Sequence, residues 1–197
     1  MNIRIRQFLV LAAVAAGASL LAGCENPVIV SGVDVANTYS PDELRRYGSG
    51  GNALRVDVAG DPFGDGAEAT ADAVVAAMQG RNIGPTVAFA RAPTQEAQPP
   101  SRVVMFVNPR RLVGAETLCD PRGPITTQAS TDSAVRLTGA WCQSNFVLSR
   151  ASAHVEEADG LASERFQALV SQLTIALFPP KNPHDRSRLM PCPPFCR

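Results

Sequence analysis

Cys192-Pro-Pro-Phe-Cys196, with Met190 and His184 just upstream, is the densest grouping of soft ligand atoms in the chain. Thiolate and thioether sulfur suit Cu(I), so a copper-binding tail built on Met190, Cys192 and Cys196 is one chemistry this spacing allows. Oxidation is the other: the two thiols can close a small loop stiffened by Pro193 and Pro194. Cys119 and Cys142 add a further pair, and closing the stretch between them would stabilise the fold by about 3 kcal/mol in the chain-entropy account. Four cysteines in an oxidising compartment permit three pairings. The expected set is Cys119–Cys142 with Cys192–Cys196. The fifth cysteine, Cys24, stands apart at the end of an apolar run.

The remaining candidates are thinner. His154 lies close in sequence to Ser144, Ser149 and Ser152 and just ahead of Glu156 and Glu157. A Ser-His-acid hydrolase could be drawn from these, but no G-x-S-x-G turn supplies a nucleophile context, and the sequence predicts a surface or strand-end histidine. Two histidines cannot build a three-histidine zinc site. Asp57, Asp61 and Asp65 surround a glycine-rich turn without the D-x-D-x-D-G spacing of a calcium loop, so Asp61 or Asp65 is expected to cap the helix that follows. The glycines at 48–51 lack the lysine of a phosphate-cradling loop. Glu156, Glu157 and Asp159 read as charges that offset the dipole at the start of the last helix. No cofactor and no catalytic residue is expected.

Cys24 takes its meaning from what precedes it. Arg4 and Arg6 open a short basic stretch, Phe8 to Leu21 form an apolar run, and Leu21-Ala22-Gly23-Cys24 closes it with small residues. This is the layout of a secretory signal, and the run is too short to span about 30 Å of hydrocarbon. An ordinary signal exit could also be drawn at Ala16-Gly17-Ala18. The Leu-Ala-Gly-Cys ending resembles the lipobox of Gram-negative bacterial lipoproteins. The resemblance implies diacylglycerol on the Cys24 thiol, removal of residues 1–23, and attachment to a membrane through acyl chains at about 0.8 kcal/mol per buried CH₂. In that family an Asp after the cysteine marks retention at the inner membrane. Glu25 stands there instead, which implies the periplasmic face of the outer membrane. The Cys-x₃-Cys spacing near the other end is similar to that in copper-delivery proteins of the envelope, which carry it in a thioredoxin-like fold before a helix, whereas here it closes a proline-rich tail.

Composition excludes more than it assigns. Lysine plus arginine equals aspartate plus glutamate at 18 each, and loss of Arg4 and Arg6 with the leader would leave the chain slightly acidic. Lys181 is the single lysine, and Arg110-Arg111 is the basic pair of the central region. With no basic run interleaved with aromatics, nucleic acid is not an expected partner. No later apolar run approaches 18 residues, so the membrane anchor would be lipid rather than a helix.

The elements that would position these groups can be read from periodicity. The sequence divides into a leader at 1–23, a lipidated start and tether at 24–53, a domain at 54–178 and a tail at 179–197. Within the tether, Ser40-Pro41-Asp42-Glu43 predicts a short helix with a capping box, stopped by Gly48. Alternation at Leu54, Val56 and Val58 predicts a strand. Ala67, Ala71, Val74, Val75 and Met78 predict an amphipathic helix with Gly80 at its end. Further strands are expected at Val87 and Phe89, at Val103 to Val107, at Val135 and Leu137, and at Phe146 and Leu148. Phe166, Leu169, Val170, Leu173 and Leu177 mark the last helix, ended by Pro179-Pro180. The economical packing is a two-layer α+β domain: a mostly antiparallel sheet of four to five strands with two helices on one face.

These readings point to a non-catalytic lipoprotein anchored at the outer membrane that binds an envelope protein. A small-ligand or copper-binding lipoprotein using the C-terminal cysteines is the alternative. A serine hydrolase using His154 comes third.

Overall fold

The structure, a computed structural model, describes residues 27–48, 52–93, 101–120 and 125–185. Six strands form one mixed sheet: β1 (Ile29–Val35), β2 (Leu54–Ala59), β3 (Phe89–Ala90), β4 (Ser101–Val107), β5 (Val135–Gln143) and β6 (Phe146–Val155), in the spatial order β1-β6-β5-β4-β2-β3. From β1 through β4 every neighbouring pair is antiparallel, whereas β2 runs parallel to both β4 and β3. Two longer helices, α1 (Ala67–Met78) and α3 (Glu164–Leu177), share one apolar core with the sheet. The four-residue α2 (Ala115–Leu118) lies on the other face, in a small cluster with Val104, Ala140 and Cys142. The class is α+β, as the periodicity predicts. No helix among the described residues is long and apolar enough to cross a membrane.

The helix-bearing face follows directly from strand and helix periods. Val103, Met105 and Val107 point from β4 into the main core, and Val135, Leu137 and Trp141 do so from β5. Phe166, Leu169, Val170, Leu173 and Leu177 answer them from α3 and are fully buried. Gly139 interrupts the β5 row beneath Leu173 and Leu177 of α3. A Cβ there would lie 3.2 Å from Leu177 Cδ1, so the absent side chain is what lets helix and sheet approach. The start of α3 is set by Ser163, whose hydroxyl accepts from Phe166 N at 3.2 Å and satisfies one of the orphan amides of the first turn.

Several expectations need correcting. The sheet has six strands rather than four to five, because the stretch read as a tether contributes β1. Residues 29–35 pair with β6, and Val28 and Val30 pack on the core. Alternation is hidden there by a bulge between Ser31 and Asp34, with Gly32 at φ 60°, and a bulge shifts the side-chain period by one residue. The predicted short helix forms as a 3₁₀ helix, Pro41–Tyr47, that buries Leu44 and Tyr47. Ser40 makes no side-chain cap. Asp61 does not cap α1 either. Its two oxygens accept from Gly64 N at 2.8 Å and Gly66 N at 2.9 Å, which fixes the turn leading into the helix. Glu156, Glu157 and Asp159 do form the acidic turn before α3, and Arg165 reaches back to bind Glu157 and the Glu156 carbonyl.

The segment after α3 is also tied down. Tyr39 donates its hydroxyl to the Pro179 carbonyl at 2.7 Å and packs edge-on against Trp141. Asn182 directs its amide nitrogen at the carbonyls of Ala36, Asn37 and Tyr39 at 2.9–3.2 Å. The start of the region read as a free tail, 179–185, is therefore docked where β1 ends.

Candidate functional site

The residues that a hydrolase would need do not converge. His154 lies on β6 in register with Arg136 of β5 and Ile29 of β1, half-buried on the face without the long helices. Ser152, two residues earlier on that face, shares a 3.0 Å hydrogen bond with Thr138. Ser149 is fully buried on the opposite face, where it donates to the Leu177 carbonyl at 2.5 Å. Ser144 occupies the β5–β6 turn with φ 53°, at the far end of the strands. Among the described residues no hydrogen bond joins His154 to any of these serines. A serine nucleophile requires a base within about 3.2 Å, and the sheet gives none of the three that arrangement.

The carboxylates are likewise spent separately. Asp57 pairs with Arg55 at 2.8 Å and with Arg102 at 3.5 Å, and Asp61 organises its own turn. Among the described residues no group of three or more His, Cys, Asp or Glu side chains is placed to hold a metal ion. His184 is exposed, and its backbone N–H donates to Asn182 Oδ1. Met190, Cys192 and Cys196, and with them the copper reading and the second disulfide, lie outside the described residues, as does Cys24.

The pair that the structure does bring together is Cys119 and Cys142, joined as a disulfide with their Cα atoms 5.6 Å apart. Cys142 is on β5 and Cys119 ends α2, so the bond fastens the long β4–β5 connection to the second face of the sheet. Arg102 reinforces it by donating to the Cys119 carbonyl at 3.0 Å. Beside this tie lies a cleft of about 540 Å³ floored by Val104, Phe106 and Leu118 and edged by Arg55, Asp57 and Arg102. Its volume falls in the range of small-ligand sites, about 300–1,000 Å³. A smaller hollow of about 250 Å³ sits at the His154 end of the sheet, bounded by Asn108, Arg136 and Glu156. Asn108 holds the backbone there at φ 48°, with its Oδ1 accepting from Arg136 N at 2.7 Å and its amide donating to Ser130 at 3.0 Å.

Apart from Asp57, weighed only as a calcium ligand, the cleft residues were not singled out by the sequence. The available signal was Arg55-x-Asp57 on an alternating strand, which places both charges on one face. Arg102 joins them only through the parallel pairing of Arg55 with Arg102, a long-range register that no local pattern encodes.

No family model and no curated protein matches the chain. Among solved structures it is similar to a point variant of the PelC dodecamer from Paraburkholderia phytofirmans, at 14% identity and a TM-score of 0.40 over 77% of this chain and 97% of that one. The PelC dodecamer from the same organism in another crystal form gives 14% and 0.38 over 77% and 98%.

Proposed function

We propose that the chain is a lipoprotein held at the periplasmic face of the outer membrane through Cys24, and that it acts by binding an envelope protein rather than by catalysis. The observation that carries this reading is how little chain separates Cys24 from the ordered domain, since β1 begins at Ile29. Acyl chains on that sulfur would hold a packed α+β body close to the bilayer, with no long tether between. The non-catalytic part is supported by the dispersal of Ser144, Ser149, Ser152 and His154 over two faces and both ends of the sheet. Partner binding is supported by Phe146, a residue 76% exposed at the β5–β6 turn, where an aromatic side chain can anchor a protein contact.

Intact-mass measurement of protein extracted from membranes tests the anchor. The expected product begins at Cys24 and carries diacylglycerol, and an unmodified amino terminus downstream of Cys24 would overturn it. Affinity recovery from crosslinked membranes tests the role. A constant protein partner is expected, and repeated recovery of the chain alone counts against binding.

A further inference from the structure

The two ends of the sheet differ in what they expose. One end gathers the start of β1, the end of β6, the start of β5 and the end of β4. It carries Ile29, 49% exposed, and the loop after β4 with Arg110, Arg111 and Leu112, the last 93% exposed. The other end carries Phe146 and Ile83, the latter 49% exposed. From His154 to Phe146 along β6 the separation is about 27 Å at ~3.4 Å per residue.

We propose that the end bearing Ile29 and Arg110-Arg111-Leu112 is the face the domain lays against phospholipid, with the Phe146 turn held away from it. The inference rests on acylation of Cys24. Two observations carry it. The chain from Cys24 to Ile29 spans at most about 17 Å when fully extended, less than the length of β6, so the first residue of the sheet cannot be far from the headgroups. At that same end an almost fully exposed leucine follows two arginines, the side-chain pairing that seats at a membrane interface, with the apolar group inserted and guanidinium groups at the phosphates. Glu156, Asp159 and Asp132 are exposed at this end too. Their charge opposes adsorption to anionic lipid, so contact depends on the anchor and not on electrostatic attraction alone.

The test uses the full acylated protein in vesicles of phosphatidylethanolamine and phosphatidylglycerol, with a photo-crosslinking amino acid replacing Leu112, Val33, Phe146 or Ile83 in turn. All four side chains are exposed, so the replacements leave the core intact. Lipid adducts several-fold more abundant from position 112 than from 146 or 83 are expected. Equal labelling from all four positions, or labelling strongest from 33 or 146, would overturn the orientation. The mass of each preparation is read first: an unacylated Cys24 removes the anchor and the orientation together, whereas acylated protein with uniform labelling removes the orientation alone.

Discussion

The two faces of the sheet are held by different means. On one, α1 and α3 cover the strands with Phe166, Leu169, Leu173, Leu177 and Met78 against Met105, Leu137 and Trp141, and among the described residues no covalent bond is involved. On the other, a cluster of Val104, Leu118, Ala140, Cys119 and Cys142, with Phe106, Val113 and Val147 at its margin, covers part of the sheet. Ordering a residue costs about 1–2 kcal/mol of backbone entropy. From the β4–β5 connection the small cluster takes only Leu118, Cys119 and, partly buried, Val113, little apolar area against that cost. A disulfide lowers the entropy the connection has in the unfolded chain, and the hydrogen bond from Arg102 to Cys119 helps fix its seat. Where apolar area is scarce, a covalent link does the work that packing does elsewhere.

Substitutions can break or sharpen that contrast. Phe166→Ala should cost about 3–5 kcal/mol, the range for deleting a buried aromatic ring, read as a lower denaturation midpoint for the entire domain. Replacing Cys119 and Cys142 together with Ala should cost up to about 3 kcal/mol. In native-state amide exchange the loss of protection should be confined to the loops on either side of α2. Equal loss of protection in α3 would mean that the two faces form one cooperative unit and are not held by separate means. Asn182→Ala should cost about 1 kcal/mol, because its amide protons are shared among three carbonyls, and proteolysis should then begin at 179–185. The smallest effect is a pH dependence. Burial raises the Tyr39 phenol well above its usual 10.0, so above that pH the unfolded chain releases a proton that the folded one keeps. Stability is then complete below pH 10.0 and declines as pH rises past it. Tyr39→Phe should flatten this alkaline slope.

The same contrast explains what could be read from residues alone. The helix-bearing face is built from regular periods, so Val103 to Val107 and the Phe166-to-Leu177 series announce a strand and a helix. Cys119–Cys142 was legible because the central region has no other cysteines to choose from. Irregular pairing hid the rest. Gly32 and Val33 bulge out of β1 and erase its alternation. The strand expected at Val87 and Phe89 is present as the two-residue β3, but its place at the sheet edge, where Gln79 exchanges two side-chain hydrogen bonds with the Phe89 backbone, is not written in any local pattern. The charged cleft depends on β2 lying parallel to β4, a neighbour relation set by the whole fold.

Asn182 has one more consequence. By fastening 179–185 where β1 ends, it decides where the last residues of the chain set out: from the side of the molecule bearing Tyr39 and Trp141, opposite the side at which the polypeptide enters the sheet. The described chain thereby enters and leaves the sheet about a strand's length apart.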